Sequence, residues 1–302
     1  MSFNRIFAAK AALNIEQIND RYNRGSRNLE IHTIPKYFSG DFNYDSFFKY
    51  IEEKRMNVVS IHSPMITLDN KNVGVGNKDC RQGLKLVEQS IELAEKYIMQ
   101  YPKIVVVHIA DIKEENKNKE NILKTVKEDI IHLSRYAEKY NDVIVCIENH
   151  MKLINYKGNI KDCQAIGYED DVVNLIKTLK LPNIGTTLDI CHALATIKYN
   201  LKTSSGKYKK LEDFFVNQQS VLKHIHLSTC NEFGILSDHG LGFNDNNKEE
   251  LVEFVKLLKK YDYNNSIVIE TIDKNINAYE AYSKTIELLK ANSEILAINV
   301  IQ

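Results

Sequence analysis

IGTTLDICHA, residues 184–193, is a short apolar run that delivers Asp189 at its end and His192 three residues later. A carboxylate and an imidazole released together where a buried strand leaves its sheet form half of a divalent-metal site. Whether the other half exists depends on how the remaining strands end, and the fold depends on how many such strands there are.

Short β-branched runs recur along the chain at RIFAAKA (5–11), RNLEIH (27–32), NVVSIH (57–62), KIVVVHI (103–109), DVIVCIE (142–148), NIGTTLD (183–189), LKHIHLS (222–228) and NSIVIET (265–271). Amphipathic stretches separate them. At 78–101, Leu84, Val87, Ile91, Ala94 and Ile98 recur at spacings of three and four, the period of a helix packed on one face. Similar patterns occupy 44–55, 118–140, 169–180, 208–220, 247–260 and 277–292, with a weaker one at 14–24, so that each strand is followed by one helix. Eight βα units with strands too apolar to face water on one side predict an α/β fold. The expected form is a single (β/α)8 TIM barrel spanning residues 1–302, with a doubly wound open sheet as the alternative. No linker rich in Gly, Pro or Ser divides the chain. The stretches read as structureless, 63–77, 149–168, 190–206 and 229–246, all follow strands. In a barrel they crowd the rim at the strand C-termini, where active sites of this fold lie.

Six of the strands finish on a metal-ligand type: His62, His108, Glu148, Asp189, His226 and Glu270. Any one of these has an ordinary explanation as a hydrogen-bonded residue at the edge of the core. Together they demand more. Ionisable groups at the ends of apolar strands are costly unless they pair or bind an ion, and a barrel aims all of these ends into one bowl. Two Glu, one Asp and one His, without thiolate, suit Mn, Mg, Co or Zn. His192 is close enough to Asp189 to act as a supporting partner, a substrate contact or a ligand of another ion. His224 shares a strand face with His226 and reads as a core histidine satisfied by neighbours. In DHGLG (238–242), Asp238 and His239 form either a polar turn or a rim ligand pair. Gly74 and Gly76 in NVGVG resemble a phosphate cradle only in being glycines, since the spacing fits no P-loop.

Composition narrows the function classes. The chain is 43% hydrophobic and 26% charged, an ordinary globular balance. Lys plus Arg equals Asp plus Glu at 40 each, so no global field favours a phosphate backbone or an anionic membrane. The five cysteines are far apart and contain no CxxC pair, which argues against a disulfide framework or a zinc ribbon. Cys191 and Cys230, near the bowl, read as small packed residues. With no extended apolar leader and no run of 18 apolar residues, the expectation is a cytoplasmic protein without a membrane span.

The order His62, His108, Glu148-Asn, Leu-Asp189-x-x-His192-Ala, His-x-His226-Leu, HGLG, Glu270-Thr across eight βα units resembles the xylose isomerase-like TIM barrels. That superfamily includes sugar isomerases and epimerases as well as endonuclease IV. In the isomerase branch the resemblance implies one divalent ion on Glu148, Asp189, His226 and Glu270. It implies too that Glu148 and Glu270 shuttle a proton between neighbouring carbons, with His192, His62 and His108 as substrate contacts. In the endonuclease branch it implies additional zinc ligands at His62, His108, His192, Asp238 and His239 and a DNA substrate. The chain departs from that branch: ENHMKLI and HLST stand where ENTAGQG-like and HLND-like segments occur, and the GAHVS-like opening is missing. Neutral charge, no Trp and no Arg cluster in the rim loops tilt the reading toward a small carbohydrate substrate. The expected activity is therefore a divalent-metal-dependent isomerase or epimerase of a small sugar or polyol derivative. Nucleic acid is a partner only under the multi-zinc phosphodiesterase alternative, and a catalytically inactive metal-binding barrel is the third reading. Barrel helix surfaces often pair, so a homo-oligomer is a possible assembly.

Overall fold

The computed structural model describes residues 3–77, 81–110, 118–150, 153–156, 159–162, 168–204, 206–231, 239–273, 275, 277–292 and 298–301. Asp238, Cys80 and Cys163 lie outside the described residues.

The apolar runs become eight parallel strands: β1 (Phe3–Ala12), β2 (Asn28–His32), β3 (Asn57–His62), β4 (Lys103–His108), β5 (Val143–Glu148), β6 (Ile184–Asp189), β7 (Leu222–Leu227) and β8 (Ile267–Ile269). They neighbour one another in that order, and pairing of β1 with β8, Phe7 opposite Ile267 through Ala9 opposite Ile269, closes the sheet into a barrel. The open-sheet alternative is thereby excluded. Because β8 is only three residues long, the lower half of β1 would lack a partner; a ninth strand, β9 (Ile298–Ile301), pairs in parallel with Phe3 to Ile6 there.

Period-two alternation sorts each strand into two faces. On β5, Val145 and Ile147 join the main core between barrel and helices, whereas Ile144, Cys146 and Glu148 point inward. The helices covering the outer face are α1 (Ile15–Asn23), α2 (Tyr44–Glu53), α3 (Arg81–Tyr97), α4 (Lys119–Ala137), α5 (Val173–Leu179), α6 (Ile190–Lys202), α7 (Leu211–Gln218), α8 (Lys248–Lys260) and α9 (Glu280–Ala291). Their spacing explains their packing. α4 buries Ile122, Val126, Ile130, Leu133 and Ala137, and Asn118 caps its start by accepting from the Glu120 amide.

Two expected loops are ordered differently. Residues 190–202 form α6 rather than a structureless rim segment, so two helices, α6 and α7, separate β6 from β7. The cause is local: Asp189 in an extended conformation accepts a hydrogen bond from the His192 amide at 2.8 Å and caps the helix directly off the strand. Within 149–168, residues 153–156 and 159–162 pair as an antiparallel hairpin.

The glycines of NVGVG are structural. Val75 donates to the His108 carbonyl at 3.1 Å and accepts from the Ala110 amide at 3.0 Å, adding this segment to the end of β4. A Cβ at Gly74 would lie 2.7 Å from both the Ala110 nitrogen and the His108 oxygen. The Gly76 amide donates to Asp129 Oδ2 at 2.8 Å. Gly74→Ala is expected to lower unfolding free energy by about 1–3 kcal/mol, read as a lower denaturant midpoint, because backbone rather than a flexible side chain must move. An unchanged midpoint would show that the segment detaches from β4 at little cost.

Candidate metal centre

Parallel register carries the polar strand ends to one level. His32 is opposite His62, His108 is opposite Glu148, and Asp189 is opposite His226. All of these face the interior at the C-terminal end of the barrel, and all but the half-buried His32 are buried.

Glu148, Asp189, His226 and Glu270 offer ligand atoms that all lie within 4.8 Å of one another. His226 is the hub. Its Nδ1 lies 3.1 Å from Glu148 Oε1 and 2.5 Å from Glu270 Oε2, and its Nε2 lies 3.2 Å from Glu30 Oε2. Burial opposes a charge on this ring, but Glu270, Glu30 and Glu148 overcome it and hold the imidazole pKa well above its ordinary value. Burial would likewise raise Glu148 and Glu270, yet the charges of His108 and His226 at Glu148, and of His226 and Lys10 at Glu270, hold both carboxyls well below theirs. Asp189 goes the other way. Burial, reinforced by the negative charges of Glu148 and Glu270, pushes its pKa up to about 7.

The donor set fits a divalent cation. Three carboxylates and one imidazole nitrogen converge on one space, and the buried atoms Glu148 Oε2 and Glu270 Oε2 make no well-formed hydrogen bond, facing only the ion-pair contacts of His62, His108 and His226. Buried carboxylate oxygens left in this state are expensive, and a cation satisfies them together. Nδ1 of His226 can serve two carboxylates only as a protonated donor or as the ligand of a cation that replaces that proton.

His62 and His108 adjoin the same centre. His62 Nδ1 donates to the Ser63 carbonyl at 2.8 Å, which turns Nε2 toward His108 Nε2 at 3.2 Å and Glu148 Oε2 at 3.3 Å. His108 Nε2 lies 3.0 Å from Glu148 Oε2; burial lowers its pKa, but Glu148 prevails and raises it. His192 is fixed by Asn149. Its Nδ1 donates to the Asn149 carbonyl at 2.7 Å, leaving Nε2 as an acceptor, while the Asn149 side chain clasps the Asp189 backbone at 2.6 and 3.1 Å. His239 stacks on His192 with centroids 5.5 Å apart and planes 10° from parallel. His224 is satisfied within the barrel by Ser266 and Glu30.

Four residues of the bowl stand outside the six strand-end candidates, although His32 also closes its run, RNLEIH. Lys10 on β1 contacts Glu270 Oε1 and lies 3.7 Å from Glu30 Oε1. Burial works against its ammonium, but Glu270, Glu30 and Glu148 together hold its pKa above the ordinary lysine value. Glu30 and His32 come from β2, and His150 lies between His108 and His192 at ring distances of 5.8 and 5.5 Å. Eight of the nine histidines in the chain thus stand in or under this bowl, and only His132, paired with Glu88 on the helical surface, does not.

A closed parallel barrel with an N/O donor set at its C-terminal mouth defines the class, and the chain belongs to the xylose isomerase-like TIM barrel family, whose model matches residues 36–292. Among solved structures it is similar to a D-tagatose 3-epimerase-like protein, at 18% identity and TM-score 0.69, covering 96% of this chain and 99% of that one. It is also similar to 3-keto-D-glucoside 4-epimerase YcjR from E. coli, at 16% identity and TM-score 0.64, covering 95% and 100%. A family 2 AP endonuclease from Brucella melitensis shares the fold at 15% identity and TM-score 0.63, covering 96% and 98%. No curated protein sequence matches the chain. Among the described residues no helix is long and apolar enough to cross a membrane.

Proposed function

We propose that this chain is a divalent-metal-dependent isomerase or epimerase of a small sugar or polyol derivative. Its proton carriers are Glu148 and Glu270, and its cation ligands are Glu148, Asp189, His226 and Glu270. The observation that supports this most is the convergence of Glu148 Oε1 and Glu270 Oε2 on His226 Nδ1, which brings two carboxylates from strands across the barrel to one cavity. When bound, a cation of the Mn, Mg, Co or Zn type polarises a carbonyl and lowers the barrier to removing the neighbouring proton. Glu148 and Glu270 then divide the proton work: one takes a proton from carbon on one face of the substrate, while the other, after taking up a proton from solvent, returns one on the other face. Both are held ionised by their neighbours, so both are available as bases at neutral pH. Nε2 of His192 accepts a substrate hydroxyl, and His62 and His108 border the same space. The epimerase names of the similar structures agree with a carbohydrate of this kind.

A second reading has its own observation. His62, His108 and Glu148 form another potential ligand group, and with His192 and His239 beside it the bowl could hold several zinc ions for phosphodiester hydrolysis. The single-ion reading is preferred because one proton shared by the two ring nitrogens 3.2 Å apart satisfies His62 and His108 without a cation. The deciding experiment incubates the protein with Mn²⁺ and a panel of ketopentoses and ketohexoses in D₂O. Deuterium entering at a carbon next to the carbonyl is the expected result. Absence of exchange across the panel, with about three zinc ions per chain and cleavage of duplex DNA at abasic sites, would transfer the function to the second reading.

A further inference from the structure

We infer that Glu30 is a positioning residue for the cation site, acting through His226 by fixing which nitrogen of that ring faces the ligand cavity. The inference rests on the cation reading above and extends it to a residue one layer deeper in the barrel.

Glu30 lies on β2, fully buried beneath the bowl. Three groups converge on one of its oxygens: Oε2 is 2.7 Å from Ser60 Oγ, 3.1 Å from His224 Nε2 and 3.2 Å from His226 Nε2. An ionised carboxylate oxygen only accepts, so all three partners must donate to it. His226 therefore carries a proton on Nε2. Its Nδ1 is the nitrogen left for a cation, and it is the one directed at Glu148 and Glu270. His224 is locked at its other end by Ser266 Oγ at 2.8 Å, so the Glu30 carboxylate cannot swing to follow a different ring orientation without breaking that arrangement.

Charge balance alone does not account for this geometry. The available cation, Lys10, stands 3.7 Å from Oε1, and Oε1 has no hydrogen-bond partner, whereas every short contact is made by Oε2. Glu30 is arranged as an acceptor for imidazoles, as carboxylates behind metal-bound histidines commonly are. Glu30, His224 and His226 are also close enough to chelate an ion of their own. The Ser60 hydroxyl, 2.7 Å from Oε2, already occupies that side of the oxygen, and its hydrogen bond together with the two imidazoles satisfies Oε2 without an ion.

Calorimetric titration of the chelator-treated full-length protein with Mn²⁺ tests the role. Wild type, Glu30→Gln and Glu30→Asp are compared, each shown to be folded by circular dichroism. Gln removes the acceptor charge at constant volume, while Asp keeps the charge and withdraws it from His226. Both are expected to weaken binding about 10–100-fold at unchanged stoichiometry. A merely structural role would lower thermal stability and leave the affinity of the folded protein alone, so affinities within twofold of wild type overturn the inference. Loss of one ion from a stoichiometry of two also overturns it, by making Glu30 a ligand. Wild type that binds no Mn²⁺ refutes instead the cation reading on which the inference rests. Should both variants fail to fold, the ¹⁵N spectrum of wild-type histidines with Zn²⁺ bound decides: His226 protonated at Nε2 supports the role, and protonation at Nδ1 overturns it.

Discussion

Glu270→Gln is expected to lower the rate of solvent proton exchange into substrate by about 10²–10⁴-fold, the usual contribution of a positioned acid–base group. The amide keeps the volume and one acceptor oxygen but cannot take up a proton. Two neighbours sharpen the expectation. Lys10 engages Oε1, so the other oxygen, Oε2, is the one directed into the cavity toward His226. Lys10 and His226 also keep the carboxylate ionised against burial, so the loss on substitution is loss of a base that wild type holds ready. Because Glu270 is also a proposed cation ligand, occupancy must be measured alongside rate, in enough Mn²⁺ to saturate the variant. Exchange that persists at the wild-type rate at full occupancy would remove Glu270 from the proton path. Exchange lost only when the ion is lost would reduce it to a ligand.

The barrel was legible because parallel strands covered on both faces are written as nearly unbroken apolar runs, and β3 to β7 come within a residue or two of where those runs lie. The ligand candidates were legible for the same reason: Glu148 after VIVCI, or His108 after IVVV, is an ionic group where apolar sequence leads one to expect another Val. Lys10 and Glu30 were hidden by the opposite circumstance. In AAKAA and NLEIH a charged residue alternates with apolar ones, which is how a strand with one wet face is written. Only the register that sets Lys10 opposite Glu30, and the barrel closure that brings both to Glu270, turns that wet face into the barrel interior. Helix α6 was hidden by a residue with two jobs. Asp189 read as a strand-end ligand obscures Asp189 as an N-cap, although a carboxylate has two oxygens and the cap uses only Oδ1, which takes the His192 amide.

The same crowding of charge makes stability above about pH 6.5, and cation binding, depend on pH in a definite direction. In the cation-free protein Asp189 has its pKa pushed up to about 7 by burial and by Glu148 and Glu270. An unfolded aspartate titrates near 3.9. Below about pH 4 the group is protonated in both states and makes no difference. Between there and pH 7 the folded protein retains a proton that the unfolded chain releases, so this group makes stability fall as pH rises, and above 7 the penalty is complete. His226, raised well above its ordinary value, acts in the same sense: its contribution is full below about pH 6.5 and is lost as pH climbs through the folded pKa. Glu30, Glu148 and Glu270, all held low, lose their contributions only as pH falls below the ordinary glutamate range, outside this window. A divalent cation needs Asp189 ionised and Nδ1 of His226 stripped of its proton, so binding must expel protons and tighten with pH, by about tenfold per unit for each proton expelled. The neutral histidines His32, His62, His192 and His224, held below their ordinary value by burial, make stability rise with pH up to about 6.5 and are then spent. The melting temperature of chelator-treated protein is therefore expected to fall from about pH 6.5 to pH 8 while the gap to the Mn²⁺-loaded protein widens. Titrations in buffers of different ionisation enthalpy count the protons, with one to two released per ion at pH 6. A gap that stays constant across this range, with no protons released, would mean that the ion does not bind at Asp189 and His226, and the ligand assignment would have to be abandoned.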